Sequence, residues 1–254
     1  MGNLYLAALA ATRFDGPPSP PCTKREEGPQ LRPQVTVPFA ALAAVPFVMV
    51  LGNSMLIPVL PQLRSAMDIT WFQVGLVITA FSLPAGLTIP LTGFLSDRVG
   101  RKMVMAPALL VYGMGGLLAG AAAVLLDSPY GAVLAGRVIQ GVGAGGTYQL
   151  AMALAGDLFA GQERSKVLGV LEASNGMGKV VSPVAGAAVG LLAWFAPFFV
   201  YGAVAFPVAA AVWFLVREPQ QERKRRPKPL GEYAATLRRI LGAKGVSLAV
   251  SYLA

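Results

Sequence analysis

The 254-residue chain is 55% hydrophobic and 13% charged, whereas a soluble domain carries about 25% charged residues; an ordinary soluble enzyme or binding module is excluded. Its net charge of +9 arises from 21 Lys and Arg against 12 Asp and Glu, and there is no His. The chain therefore holds neither a Ser–His pair nor a His-bound metal, and its one cysteine, Cys22, excludes an intramolecular disulfide.

In chain order, residues 1–36 form a tail whose stretch DGPPSPPCTKREEGPQLRP is rich in proline and charge and reads as disordered. The apolar LYLAALAA near its start lacks a preceding basic residue, a poor match to a signal peptide. Stretches long enough to cross a bilayer at 1.5 Å per residue follow near 37–60, 71–92, 103–126, 131–155, 165–190 and 194–216. Helices are the expected form, because an open strand in lipid leaves backbone groups unpaired and these segments lack the alternation of barrel strands. Residues 37–216 are thus expected to form a six-helix transmembrane bundle. Residues 217–244 read as a basic linker; within it LGEYAATLRRILGAKG has the spacing of a short amphipathic helix on the membrane surface. The run GVSLAVSYLA, residues 245–254, is too short to span and reads as the start of a seventh helix, with a C-terminal half expected beyond it.

Positive charge is concentrated in the tail, in the loop after the second span, around Arg164 and Lys166, and after the sixth span. The intervening loops hold only Arg64. The positive-inside rule accordingly predicts a multi-pass protein of the cell membrane with a cytoplasmic N-terminus. Topology accounts for the basic balance, so no nucleic-acid partner is implied.

Three motifs stand inside this frame. Residues 93–102, GFLSDRVGRK, predict a tight turn between spans two and three, with Gly93 and Gly100 allowing unusual backbone geometry and Arg98, Arg101 and Lys102 holding it on the cytoplasmic side. Span four carries RVIQGVGAG, with Arg137, Gln140 and Gly141; span five carries GKVVSPVAGA, with Gly178, Ser182, Pro183 and Gly186. Small residues at such spacing allow close helix packing in lipid. The first stretch closely resembles the signature loop of the major facilitator superfamily, G-x-L-x-D-R-x-G-R-K, at Gly93, Leu95, Asp97, Arg98, Gly100, Arg101 and Lys102. The second resembles R-x-x-Q-G-x-G-A of its proton-coupled exporters. The third resembles G-x-x-x-G-P-x-x-G-G, with Ser182 and Ala187 where glycine is usual. The resemblance covers residues 37–254 and implies an all-α fold, a 3+3 inverted-repeat N-terminal bundle working with a second six-helix half, and alternating access. It also implies a conformational-switch role for the span-two loop, in which Asp157 at the end of span four is placed to pair with Arg101 or Arg98.

Ionisable groups within spans are costly, at least ~2.5 kcal/mol on insertion scales, and normally face a cavity or a partner. Glu172 and Lys179 are seven residues apart, so at about 100° per residue they share a face of one helix, with Asn175 beside them. Arg137, Gln140, Ala144 and Tyr148 share a face of span four. Arg137, Gln140, Tyr148, Glu172, Asn175 and Lys179 are therefore expected to line a cavity or to pair across the bundle. Glu172 is the one carboxylate placed within a span and, without His, the candidate proton carrier. Trp71, Phe72, Phe81, Tyr112 and Tyr148 line a hydrophobic site or serve as packing and interfacial anchors.

Taken with the resemblance, these features predict a proton-coupled exporter of hydrophobic or amphiphilic small molecules, a multidrug antiporter type, with protons, substrate and the lipid bilayer as partners. The other readings are a sugar or organic-anion symporter of the same superfamily, and a non-transporting receptor or scaffold. No catalytic residue, cofactor or metal is implied.

Overall fold

The structure is a computed structural model that describes residues 33–159 and 161–216. The tail, the linker with its amphipathic segment and the run 245–254 lie outside the described residues. Among the described residues the chain forms eight α-helices and one 3₁₀ turn. Helix α1 is Pro33–Ser54, followed by the turn Ile57–Val59 and by α2, Leu60–Met67. Then come α3 (Trp71–Val99), α4 (Arg101–Leu125), α5 (Tyr130–Ala144), α6 (Thr147–Leu158), α7 (Gly161–Gly190) and α8 (Ala196–Leu215). Four stretches are long and apolar enough to cross a membrane by length and composition: Pro38–Met67, Trp71–Val99, Arg101–Leu125 and Ala196–Leu215.

The remaining two expected spans differ for sequence-visible reasons. Helix α7 has the length but carries Glu172 and Lys179 on top of a charged first turn. Span four is not one helix: it breaks between α5 and α6 at Gly145 and Gly146, the latter at φ 79°. Only glycine adopts that left-handed backbone readily, and a Cβ on Gly146 would also overlap Thr92 Oγ1 of α3.

The expected turn at residues 93–102 is also mostly helix. Helix α3 runs on past Pro84 and Pro90, so residues 93–99 form its last two turns. Gly100 alone, at φ 112°, ends α3 and starts α4. At the other end of α3, Thr70 and Gln73 form a capping box, with the Thr70 amide donating to Gln73 Oε1 at 2.8 Å.

The bundle's core has two layers along its length. One gathers Leu42, Val45, Met105, Leu109, Leu154, Leu171 and Val212, at the end where α4 and α7 begin and α6 and α8 finish. The other gathers Met55, Leu63, Val77, Tyr112, Phe198 and Tyr201 near the opposite end. There the Tyr130 hydroxyl donates to the Gln73 carbonyl at 3.3 Å, so α3 and α5 begin side by side. Lipid competes equally for apolar side chains, so association between spans rests on close contact and polar bonds. The seam of α7 against α1 shows this: buried Gly178, Ser182 and Gly186 face α1, with Gly186 directly against the Met55 carbonyl.

Gly186→Leu is expected to force this seam apart and destabilise the detergent-solubilised protein by about 1–3 kcal/mol, the usual cost of overpacking. Gly176→Ala, on the same helix where a Cβ meets nothing within 4 Å, should leave the thermal melting curve unchanged.

Candidate functional site

Helix α7 presents two different faces. Val167, Leu171, Asn175, Gly178, Ser182, Gly186 and Gly190 are buried, whereas Glu172, Gly176 and Lys179 are exposed. The exposed stripe holds both charges of the span, in the shared orientation that their spacing predicts. Glu172 is held from α6: the Tyr148 hydroxyl donates to its carboxylate. Ser174 Oγ donates to the Ala43 carbonyl of α1 at 2.6 Å, which fixes the rotation of α7 about its axis. Asn175 lies beneath Glu172 on the buried side, with its Oδ1 lacking a hydrogen-bond partner. Pro183 is half-buried one turn beyond Lys179.

Arg137 and Gln140 are placed elsewhere. Both are fully buried, so they do not line a surface with Glu172 and Lys179 as the sequence led us to expect. The break at Gly145–Gly146 is the physical reason: Tyr148 belongs to a separate helix, and the face it shares with Glu172 is not a continuation of the Arg137 face. Arg137 instead ties three helices together. Its Nη1 donates to the Gly52 carbonyl of α1 at 2.8 Å and to Gln140 Oε1 at 2.7 Å, its Nε donates to the Val77 carbonyl of α3 at 3.3 Å, and the guanidinium lies 4.7 Å from the Phe81 ring centroid.

Local backbone explains why Gly52 is available. The amide of Leu56, which would bond Gly52 in a continuing helix, bonds Asn53 instead. The Gly52 carbonyl is thus one of the unpaired groups of a helix C-terminus, where the partial negative charge favours a cation.

Around Arg137 stand Tyr112, whose hydroxyl donates to the Val48 carbonyl at 3.0 Å, and Tyr201, its ring 6.3 Å from that of Tyr112. The sequence pointed to Tyr112 as lining a hydrophobic site or as a packing or interfacial aromatic, and gave no role to Tyr201. A signal was present in Tyr112–Gly113 and Tyr201–Gly202, two of the three Tyr-Gly pairs of the chain, each well inside an apolar span. Gly141 keeps α5 close to α3, directly against the Phe81 carbonyl.

A third cluster closes one end of the bundle. Arg101, at the start of α4, forms an ion pair with Asp157 near the end of α6. Asp157 thus takes one of the two partners that the sequence allowed. Arg98 places its guanidinium 4.2 Å from the Phe94 ring centroid, and Lys102 stands 5.7 Å from the Trp213 ring of α8. Asp97 is exposed and Gly93 is half-buried in the last part of α3. The start of α4 is therefore fastened to α6 and α8 by charge and cation–π contact.

The family model of the Major Facilitator Superfamily matches residues 42–254. The chain belongs to the major facilitator superfamily. Among curated members of this superfamily, the Bacillibactin exporter of Bacillus subtilis is 44% identical over 184 residues, which are 72% of this chain and 46% of the exporter. Multidrug resistance protein 2 of the same organism is 30% identical over 183 residues, 71% of this chain and 44% of the relative. The chain thus spans about half the length of the curated relatives it matches. The solved structure of the human organic anion transporter MFSD10 has the same fold, with a TM-score of 0.64 at 22% identity, over 80% of this chain and 53% of that one. Major facilitator superfamily proteins are membrane transporters, and the apolar helices of this chain fit that setting.

Replacing Arg137 by Lys keeps the charge but cannot reproduce the fork that joins the Gly52 and Val77 carbonyls. The variant is expected to lose about 1.5–3 kcal/mol of stability, the worth of a charged hydrogen bond, seen as a lower melting temperature in detergent.

Proposed function

We propose that this chain is the N-terminal bundle of a proton-coupled exporter of amphiphilic small molecules, working by alternating access with a second six-helix bundle in the cell membrane. In this reading the N-terminus is cytoplasmic, and the cluster of Arg101 and Asp157 stabilises one of the two conformations. The observation that carries the proposal is the Tyr148–Glu172 bond on the exposed face of α7, because Glu172 is a carboxylate well inside a long helix of the bundle. Ionisable groups so placed are functional by default.

The chemistry follows from the two protonation states. As a carboxylate, Glu172 accepts the Tyr148 O–H and holds α6 to α7. Taking up a proton removes the charge and supplies a donor of its own, which weakens that bond and lets the neutral face cross a desolvated state. Lys179, about two turns further along the same exposed face, offers a cation to a substrate bearing an acidic or polar group. The names of the relatives, a Bacillibactin exporter and a multidrug resistance protein, support export over uptake and an amphiphilic substrate over a sugar.

The test is transport by the full-length protein in proteoliposomes, with bacillibactin and a lipophilic dye as substrates and pH recorded inside. Substrate-driven proton flux is expected with the natural protein, and a scaffold or receptor would give none. Glu172→Gln should lower coupled flux about a hundredfold or more, the range of a lost proton-transfer group, while substrate binding persists. Full activity with an unaltered pH dependence would sink the assignment of Glu172.

Asp157→Asn removes the ionic partner of Arg101 and leaves the side chain's size unchanged. The expected outcome is a shift in the balance of inward- and outward-open states, read by fluorescent labels on the two bundles. An unchanged distribution would remove the cluster from the mechanism.

A further inference from the structure

Asn175 is an amide inside a packed seam. Only 9% of it is exposed, it stands three residues after Glu172 on α7, and its Oδ1 is buried without a hydrogen-bond partner. A buried acceptor left unpaired is destabilising. An apolar side chain of similar shape would fill the seam without that cost, so the amide has a use that packing does not supply.

Its neighbour on α6 is Tyr148, whose hydroxyl donates to the Glu172 carboxylate and also interacts with the Asn175 side chain. With Oδ1 unpaired, that second contact runs through the amide nitrogen, which can only donate. The three groups thus form a chain with one direction: the Asn175 N–H points to the Tyr148 oxygen, and the Tyr148 O–H points to Glu172. No charged group competes for it. Among the described residues α1 and α8 carry no charge, and Tyr201 of α8 is turned to Tyr112. Helix α6 adds only Asp157, nine residues beyond Tyr148 or ~13 Å along the axis. On α7 the nearest charges to Glu172 are Lys166 and Lys179, six residues before it and seven after.

We propose that Asn175 is a positioning residue that lets this chain reverse its direction when Glu172 takes up a proton; the proposal rests on the reading of Glu172 as the proton carrier. One proton binds at a Glu172 oxygen, and the carboxyl becomes a donor to the Tyr148 oxygen. The Tyr148 O–H turns to Asn175, whose amide turns end over end and accepts at Oδ1. The Tyr148 and Asn175 hydrogens stay on their own atoms and change only their direction. A primary amide suits this task because it holds a donor and an acceptor at interchangeable ends. Each state leaves one amide end unpaired, so the burial cost is of the same kind in both. Leucine would offer neither end, and aspartate would set a second carboxylate beside Glu172.

The experiment uses the full-length protein in lipid vesicles, with asparagine isotope-labelled at the side-chain carbonyl, and records infrared difference spectra between acidic and alkaline buffer. On acidification the natural protein should gain a carboxylic-acid band that Glu172→Gln lacks. With it should come a shift of one isotope-sensitive asparagine band that is lost in Asn175→Leu. Tyr148→Phe removes only the hydroxyl that joins the two groups; it should keep the carboxylic-acid band and lose the asparagine shift. A merely structural Asn175 would show no such shift. In transport, Asn175→Leu should lower coupled flux about fivefold, the worth of one hydrogen bond, with substrate affinity unchanged. A Glu172 band without the asparagine shift would overturn the proposal and leave the proton reading standing, whereas the absence of a Glu172 band would overturn both. An asparagine shift that persists in Tyr148→Phe places the switch elsewhere and overturns it equally.

Discussion

The burial of one guanidinium sets the terms for the rest of the bundle. Arg137 can stay inside only because α1 stops hydrogen bonding as a helix just past Gly52, which frees a carbonyl, and because α3 offers the Val77 carbonyl and the Phe81 face. Removing such a group from a low-dielectric interior leaves its partners unpaired, so breaking the arrangement costs more than the arrangement itself contributes. Gly52 must also remain glycine, since a Cβ there would overlap the Tyr112 hydroxyl and stand 2.7 Å from Gln140 Nε2. The break in α1, the absence of a side chain at position 52 and the placement of two tyrosines are consequences of a single buried cation.

Close approach makes those bonds possible. A Cβ on Gly115 would stand within 2.7 Å of the Gln140 Cα, and one on Gly136 within 2.8 Å of the Ala119 amide. Helices α4 and α5 therefore touch backbone to backbone on either side of Arg137. In lipid this contact replaces the hydrophobic driving force that a soluble core would use. One face of α3 instead carries large apolar side chains outward: Leu83, Leu87 and Leu91 are all exposed, which suits a helix facing acyl chains or a second bundle.

How far the sequence could be read follows from this division. Four of the six expected spans were legible because hydrophobic length is a one-dimensional property, and the shared face of Glu172 and Lys179 followed from their spacing. Two kinds of feature were not legible. The break at Gly145–Gly146 was hidden because glycines in these spans read equally as packing residues, and only the contact with Thr88 and Thr92 of α3 shows that two of them end a helix. That break is what separated Arg137 and Gln140 from the exposed face. The turn at residues 93–102 was misread for the opposite reason, since a loop-like motif held a helix that only Gly100 interrupts. Tyr201 was missed because its role lies in a contact between α5 and α8, far apart in sequence.

The two faces of α7 then bear on how motion can be shared. On the buried side, Gly178 leaves only 3.2 Å between a prospective Cβ and Val50, and Gly186 lies against the Met55 backbone. Such a seam has no slack for sliding by one residue, because every alternative register puts a larger side chain against a carbonyl. Helices α1 and α7 must accordingly move together, and the Ser174 bond to Ala43 adds a polar lock to the same pair. On the exposed side the Tyr148–Glu172 bond joins α7 to a helix that starts after the Gly145–Gly146 break rather than to the locked seam. The same helix α6 carries both this bond to Glu172 and, near its far end, the Asp157 bond to Arg101. Between those two attachments α6 is a single twelve-residue helix whose Leu150, Ala151, Leu154 and Ala155 are buried in the core.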